Sequence, residues 1–440
     1  MRITRRRPGR GRRAAVSVAG LALAGAGLAA PAASAATAPT TYKVTATIPV
    51  GGGPAAVAAD PGTGTVYVVN NTSGSVSVIH EATHKVTATI SVGAGAFPDA
   101  VAVDPVTGTV YVANSVTDTV SVIDAATNKV TATISAGIGA DPVALAVDSV
   151  TGTVYVANMI SDSVSVIDVA THKVTSTIAV GEDPAGVAVD PNTGTVYVAN
   201  MISGSVSVIG VAKHKVTATI RVGASASPAA VAANPGKGTV YVANNGSNTV
   251  SVIDVATNKV TATIRVGSGP DGVAADPVTG TIYVTNFFGG SVSVIDRATG
   301  KVTATVGVGN VPAAVAVDSS TGTVYAANNG GNTVSVITPM TVPGAPVIGS
   351  AKAGNASASV SFTPPARDGG SPVTRYTVTA TDHTTPSKGG QTATGARSPV
   401  TVKGLTNGNS YTFTVKATNA HGTGPASAAS KAVTPAAHLR

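Results

Sequence analysis

The stretch GTVYVANMISDSVSVIDVATHKVTSTI, from Gly152 to Ile178, contains the pattern that decides the fold. Closely similar stretches occur six more times between Tyr42 and Ile337. Repetition at a fixed period is typical of chains built from like units that bury their apolar faces against one another. Residues 42–338 are therefore interpreted as one repeat array.

Each repeat contains four short phrases in a fixed order, which with small variations read PxxVAxD, TVYVAN, VSVI and KVTATI. The phrases are rich in Val, Thr, Ile or Tyr and are bounded by turn residues, which predicts a strand for each of them. Asp-Pro-x-Thr-Gly follows the first phrase, and Ala-Thr-Asn or Ala-Thr-His precedes the last, so tight turns join the strands. Each unit is expected to be a four-stranded antiparallel sheet.

The period of the array is 42–44 residues, and every phrase occurs seven times. This predicts an all-β, seven-bladed β-propeller with four antiparallel strands per blade. The array begins with an outermost strand, Lys43–Ile48, and ends with a third strand, Val334–Ile337. We therefore expect the N-terminal strand to close the last blade.

The phrase Tyr-Val-Ala-Asn, which becomes Tyr-Val-Thr-Asn at Tyr283–Asn286, resembles the YVTN β-propeller repeat first known from surface-layer proteins. The resemblance covers residue 42 to about residue 338 and implies the propeller fold. It implies little about activity, because the family contains surface-layer proteins and many other exported proteins. Related propellers include lactonases and streptogramin lyases.

The repeat stops at a Pro-rich segment, for which a linker over residues 339–344 is predicted. Residues 345–435 carry their own alternation of apolar and polar residues and are similar to a fibronectin type III β-sandwich. Leu405 followed by Tyr411 fits the tyrosine corner of that family, in which the hydroxyl bonds the backbone upstream. Phe362 stands where the family often has Trp, and we expect it to be a smaller core residue.

Residues 1–35 have the pattern of a signal peptide, with a basic start, an apolar run over residues 14–30 and a small-residue cleavage pattern at Ala33-Ser34-Ala35. Both Sec and twin-arginine export remain open. The chain has 28 Lys and Arg against 20 Asp and Glu, and seven of the Arg lie in this segment, which leaves 21 − 20, or +1. The sequence thus predicts a secreted or cell-wall-associated protein with no nucleic-acid partner and no membrane span after signal removal.

The spacing between phrases points to one face of the ring. The Pro-to-Tyr spacing is always 13 and the Tyr-to-Val spacing always 9, whereas the Lys-to-Pro spacing is 11 or 13. All length variation therefore lies in the connection from each outer strand to the next inner strand, and such variation often marks a binding face. We expect this connection and the turn between the second and third strands to share that face.

Residues that break the repeat on this face are the candidate ligand-binding residues. They combine aromatic and Met side chains with carboxylates, a mixture suited to a peptide or sugar ligand. The candidates are Phe97, Asp99, Met159, Asp183, Met201, Asp271, Phe287 and Phe288.

No constellation with a convincing catalytic or metal-binding spacing is found. The chain has no Cys, which excludes thiolate ligands and thiol nucleophiles. His84, His172 and His214 are interpreted as solvated turn residues. The Asp that ends each inner strand is interpreted as an Asx turn, with Asn234 making the same bond in one unit, and the Asn that ends each second strand as a turn cap. We predict no catalytic residue, no metal and no cofactor.

The sequence favours an exported extracellular or cell-surface binding or structural protein that uses one propeller face for recognition. The expected partners are cell-wall glycan or an extracellular protein. The alternative is a secreted hydrolase or lyase, either lactonase-like or accessory to polysaccharide degradation, and the sequence alone leaves this alternative open.

Overall fold

The computed structural model describes residues 41–137, 139–223 and 225–437, so the predicted signal peptide at residues 1–35 lies outside the described residues. These residues form two compact units. The first consists of residues 44–319 and 323–337, and the second of residues 338–437 with the short segments 41–43 and 320–322. Within the described ranges, no helix is both long and apolar enough to cross a membrane.

The first unit is built almost entirely from strands. The chain begins with β1 (Thr41–Pro49), which belongs to the last sheet. Sheet 1 contains β2 (Pro54–Asp60), β3 (Thr65–Asn70), β4 (Ser75–His80) and β5 (Lys85–Ser91). Sheet 2 contains β6 (Pro98–Asp104), β7 (Thr109–Asn114), β8 (Thr119–Asp124) and β9 (Lys129–Ser135). Sheet 3 contains β10 (Pro142–Asp148), β11 (Thr153–Asn158), β12 (Ser163–Asp168) and β13 (Lys173–Ala179).

The remaining sheets repeat this order. Sheet 4 contains β14 (Pro184–Asp190), β15 (Thr195–Asn200), β16 (Ser205–Gly210) and β17 (Lys215–Arg221). Sheet 5 contains β18 (Pro228–Asn234), β19 (Thr239–Asn244), β20 (Thr249–Asp254) and β21 (Lys259–Arg265). Sheet 6 contains β22 (Pro270–Ala275), β23 (Ile282–Asn286), β24 (Ser291–Asp296) and β25 (Lys301–Gly307). Sheet 7 contains β26 (Pro312–Val317), β27 (Val324–Asn328), β28 (Thr333–Met340) and β1.

The described part of the chain thus contains seven four-stranded sheets in the ring. The first strand of each sheet contacts the first strand of the next, and β26 contacts β2, so the sheets form a closed cycle. In sheet 7 the outer strand is β1, which is hydrogen-bonded to β28, as predicted for the N-terminal strand. The third strand of this sheet runs to Met340, into the segment predicted as linker.

Burial follows the position of a strand within its sheet. The inner strands are buried on both faces, and in β2 every residue is buried. The outer strands keep a single fully buried position near their end, such as Ile90 in β5. Inner strands of neighbouring sheets lie so close that a Cβ at Gly186 would stand 3.0 Å from the Cα of Ala230. This crowding explains why the inner strands are built largely from Ala, Gly and Val.

The register places both ends of each strand on defined faces. In sheet 3, Pro142 pairs with Asn158, and Asn158 pairs with Ser163. The start of the inner strand and the turn between the second and third strands therefore lie on the same face, as expected. We call this face, formed by these turns and by the connections from each outer strand to the next inner strand, the variable-loop face.

The first turn of most sheets is an Asx turn, as interpreted from the sequence. In sheet 1, an oxygen of Asp60 accepts a hydrogen bond from the backbone N–H of Gly62 at 3.0 Å. Sheet 5 differs, because the side chain of Asn234 is buried and makes no hydrogen bond to the described residues. Here Gly236 has φ +75 and Lys237 N–H donates to the Asn234 carbonyl at 3.1 Å, the geometry of a type II turn. The expectation that Asn234 makes the Asx bond is therefore wrong, since Gly236 permits a different turn.

Converting this turn to the type found in the other sheets is expected to stabilise the ring. In the double variant Asn234→Asp and Gly236→Val, Val disfavours positive φ and the carboxylate can accept the backbone hydrogen bond. We expect the free energy of unfolding to rise by about 1 kcal/mol, measured by chemical denaturation. Asn234→Asp alone restores the Asp-Pro-Gly sequence that forms the Asx turn in sheet 1, so the difference between it and the double variant measures the contribution of Gly236. A double variant that is no more stable than the parent would contradict this account.

The second unit is a two-sheet sandwich. Its strands are β29 (Val347–Gly354), β30 (Ser357–Thr363), β31 (Arg375–Asp382), β32 (Thr392–Gly395), β33 (Val400–Lys403), β34 (Tyr411–Asn419) and β35 (Gly422–Thr423). One sheet has the order β29-β30-β33 and the other β32-β31-β34-β35. Phe362 lies in the core, with its ring 4.7 Å from that of Tyr376. The Tyr411 hydroxyl accepts a hydrogen bond from Thr406 N–H at 3.0 Å, which confirms the predicted tyrosine corner.

Helical structure in the described residues is limited to four short 3₁₀ turns. They are Glu81–Thr83, Val211–Lys213, Asn329–Gly331 and Pro386–Lys388.

Candidate functional site

The same backbone conformation and hydrogen bond occur in every sheet on the variable-loop face. The residue before each inner-strand proline, which we call the entry residue, has φ between +45 and +66 in all seven sheets of the described chain. Its carbonyl accepts a hydrogen bond from the residue after the buried Asn, as in the bond from Ser115 N–H to the Phe97 oxygen at 3.1 Å. The entry residues are Gly53, Phe97, Asp141, Asp183, Ser227, Gly269 and Val311.

The second residue after each buried Asn, which we call the crest residue, lies beside the entry residue of its own sheet. In sheet 6, a Cβ at Gly269 would stand 2.4 Å from the ring of crest residue Phe288. In sheet 7 the glycine is the crest residue, Gly330, and the entry residue is Val311. A Cβ at Gly330 would stand 3.1 Å from Val311. Sheets 1 and 5 also carry glycine at one of the two positions. In these four sheets one member of the pair makes room for the other.

Sheets 2, 3 and 4 have no glycine at either position. Both side chains of each pair are therefore present, and the crest residues remain exposed: Val116 by 56%, Ile160 by 50% and Ile202 by 55%. The half-buried Met159 and Met201 lie next to them in the chain, and Phe97 is 39% exposed. We call this set the apolar ridge. It consists of Phe97, Val116, Met159, Ile160, Met201 and Ile202.

The predicted ligand-binding residues occupy equivalent places on this face but do not form one cluster. Phe97, Met159 and Met201 belong to the apolar ridge. Phe287 and Phe288 lie in sheet 6, two sheets beyond sheet 4, and their rings contact each other edge-on at 5.1 Å. Phe287 is half-buried, whereas Phe288 is 73% exposed.

The three predicted carboxylates are more enclosed than the aromatic candidates. Asp183 and Asp271 are each only 5% exposed. Asp271 accepts a hydrogen bond from Asn245 of the preceding sheet at 3.4 Å. Asp99 is half-buried and accepts a hydrogen bond from Asn71 of the preceding sheet in the same way. The carboxylates of Asp99 and Asp271 thus contribute contacts between neighbouring sheets on the variable-loop face.

Asp99 has the most altered ionisation on this face. Burial raises the pKa of its carboxyl from the usual 3.8 to about 6, and the negative charge of Asp141 adds to the rise. Hydrogen bonds from Ser115 and Asn71 offset part of this effect on the pKa. Asp99 therefore keeps its proton to a higher pH than a carboxyl exposed to water does.

The altered pKa predicts a pH dependence of stability. Because the pKa is higher in the folded protein, folding favours the protonated carboxyl of Asp99. Its stabilising contribution is fully present below about pH 4 and is lost as the pH rises through about 6. We expect Asp99→Asn, which removes the ionisable group, to reduce the change in the free energy of unfolding between pH 4 and pH 7. An unchanged slope in that variant would show that other groups determine it.

The histidines of the opposite face have a backbone role. His84, His172 and His214 have φ of 52, 54 and 45 in the turn before the outer strand. Sheets 2 and 5 have Asn128 and Asn258 at the same position, also with positive φ. His and Asn tolerate this left-handed conformation better than most residues. In the described ranges, no group of three or more His, Asp or Glu is arranged to hold a metal ion.

The buried Asn that ends the second strand of each sheet stabilises the turn that follows, as interpreted from the sequence. In sheet 1, the side-chain amide of Asn70 donates to Ser75 and Ser77 at 3.1 and 2.9 Å. The same pair of bonds is found for Asn158 and Asn200. Each Asn therefore ties the second turn to the third strand and is not available at the surface.

The candidate residues predicted from the sequence did not include the crest residues Ile160, Ile202 and Val116, and Val116 gave the weakest signal. Val116 is less unusual than Ile160 or Ile202, because Val is common throughout the repeats. Its position, however, is the same as theirs, the second residue after the buried Asn. Alignment of the crest positions across the repeats would have identified it.

Comparison with known proteins agrees with the architecture. The family model of the YNCE-like beta-propeller matches residues 134–225, and that of the fibronectin type III domain matches residues 344–433. Among solved structures, the hydrazine synthase of Kuenenia stuttgartiensis is similar, with a TM-score of 0.59 and 24% identity over 64% of this chain and 95% of that chain. At this identity the likeness concerns the fold alone. No curated protein matches the chain.

Proposed function

Because the chain combines a YNCE-like β-propeller with a C-terminal fibronectin type III domain, we propose that it is an extracellular or cell-surface binding protein that recognises its partner with the variable-loop face. Both kinds of domain are consistent with a binding or structural role. The proposal adds a location and a recognition surface to that general role.

The observation that carries the proposal is the apolar ridge. Large aliphatic side chains are half exposed at the crest positions of three consecutive sheets. A concentration of exposed apolar side chains on one face is often an interaction site in soluble proteins. It arises here on the face where the connection lengths vary, while the rest of the repeat keeps constant spacing.

The location rests on the sequence of residues 1–35, which has the basic start, apolar run and small-residue cleavage pattern of an export signal. The absence of Cys is compatible with either side of the membrane. A direct test is the mass of the protein recovered from culture medium and from washed cell walls. A mature chain that begins at Ala36 supports export, and a chain that keeps its first residues inside the cell contradicts it.

Recognition is tested by retention of the purified protein on isolated cell walls and on immobilised secreted proteins. The variant Ile160→Ser with Ile202→Ser removes apolar surface from the ridge. The matched control is Val150→Ser with Val278→Ser, which changes exposed valines in the first turns of sheets 3 and 6, on the opposite face. We expect the ridge variant to lose about tenfold in affinity and the control to bind like the parent. The proposal is contradicted if the parent, the ridge variant and the control are retained equally, or if the parent is not retained at all.

A further inference from the structure

We propose that the apolar ridge binds an extended segment of another protein in which a Lys or Arg side chain is flanked by aliphatic side chains. This inference rests on the proposed recognition role of the variable-loop face and specifies the chemistry of the partner. Three observations support it: the exposed aliphatic surface, the uniform sign of the charge around it, and the kind of side chain on the ridge.

The charge around the ridge is negative. The connections and second turns of sheets 2 to 4 contain no Lys, Arg or His. These segments are residues 92–97, 115–118, 136–141, 159–162, 180–183 and 201–204. Together with the first residues of β6, they carry six acidic residues: Asp99, Asp118, Asp141, Asp162, Glu182 and Asp183. Arg221, which ends the outer strand of sheet 4, lies at the periphery.

Two of these carboxylates are held in place between neighbouring sheets. Asp118 accepts a hydrogen bond from Asp141 N–H at 2.8 Å, and Asp162 accepts one from Asp183 N–H at 2.8 Å. Each bond joins the second turn of one sheet to the entry residue of the next. The negative charge is thus fixed close to the crest residues, and Glu182 adds an exposed carboxylate at the same edge. A cation placed along the ridge would be attracted by several fixed charges.

The ridge itself favours a peptide over a glycan. Its exposed side chains are aliphatic, apart from the single ring of Phe97. Aliphatic surface binds the aliphatic side chains of a peptide by burial and offers few hydrogen bonds to sugar hydroxyls. Met159 and Met201, which are flexible, can adapt to side chains of different shape. Apolar contacts then supply affinity, while the carboxylates select a basic side chain.

The test selects peptides from a display library of random nine-residue sequences on the purified full chain. We expect the enriched sequences to carry Lys or Arg between aliphatic residues. A synthetic peptide of the enriched pattern should lose about tenfold in affinity when its basic residue is replaced by Glu. The same peptide should lose about tenfold on the variant Ile160→Ser with Ile202→Ser, and a smaller factor on Glu182→Gln. Binding to the Val150→Ser and Val278→Ser control should equal that of the parent.

Other outcomes separate this inference from the proposed function. Soluble peptidoglycan fragments are measured in parallel on the same variants. Ridge-dependent binding of these fragments without ridge-dependent peptides would overturn the inference and leave the recognition role standing. Enrichment of acidic or uncharged peptides would overturn it in the same way. Absence of any ridge-dependent binding would contradict both.

Discussion

Deletion of Tyr42–Val50 is expected to lower the free energy of unfolding of the ring by about 5 kcal/mol or more. This segment contains β1, the outer strand of sheet 7, which is hydrogen-bonded to β28. Ile48 is 3% exposed and packs in the same core as Val57 and Val336. Val50 N–H also donates to the Asn332 carbonyl at 3.0 Å. The deletion removes the buried side chain and the backbone bonds together, and it exposes the edge of β28.

Calorimetry of the deleted and parent chains measures this effect. A matched pair of point variants, Ile48→Ala and Ile90→Ala, provides the control, because the two residues occupy the same position in the outer strands of sheets 7 and 1. Each should cost about 2–4 kcal/mol. Equal losses would show that β1 is integrated as fully as β5. A deleted chain that melts at the parent temperature would mean that the ring does not depend on this closure.

Tyr325→Phe is expected to destabilise the protein by about 2 kcal/mol. Tyr325 is fully buried in sheet 7, and its hydroxyl donates to a carboxylate oxygen of Glu81 in sheet 1 at 2.8 Å. This bond joins the last sheet to the first. Burial and the neighbouring Glu81 raise the pKa of Tyr325 far above its usual range, so the hydroxyl stays protonated and remains a donor.

The equivalent Tyr111 of sheet 2 is the internal control. Its hydroxyl is also buried but makes no hydrogen bond to the described residues. Tyr111→Phe therefore removes a polar group without breaking a bond and should leave the free energy of unfolding unchanged or slightly raised. Chemical denaturation of the two variants measures the difference. Equal losses in both would show that the bond to Glu81 does not stabilise the ring.

Much of the fold could be predicted from the sequence because the repeats make local and global patterns agree. The phrase around Tyr155 has apolar or small residues on both sides of the strand, and the structure buries Val154, Tyr155 and Val156 completely. The phase of the repeat also placed the N-terminal strand in the last sheet. The burial of both strand faces and the position of the N-terminal strand were inferred from features that every unit repeats, so an irregularity in one unit does not alter these predictions.

The site was harder to predict because it depends on contacts between segments far apart in sequence. The spacing placed Asp183 and Asp271 on the correct face but did not reveal that the neighbouring sheets enclose them. Asn234 does not form an Asx turn, and Gly236 adopts positive φ in the type II turn found there, although Gly62 at the same position of sheet 1 keeps the Asx bond. The pairing of Ile160 with the entry residue Asp141 becomes visible once the register is known, because the two residues are separated by the whole inner and second strands.

The pairing of entry and crest residues has a consequence for how such proteins diversify. Each pair lies within its own sheet, while bonds between neighbouring sheets join backbone N–H groups to the Asp or Asn that ends the second turn of sheets 2, 3, 5 and 7. The shape of this surface can therefore change one sheet at a time by truncation of a side chain at a crest position, while these bonds stay in place. Replacement of an exposed crest residue such as Ile202 by glycine would lower the surface of one sheet, whereas a side chain at Gly246 would place its Cβ 2.6 Å from the Ser225 carbonyl oxygen and would require the adjacent connection to move.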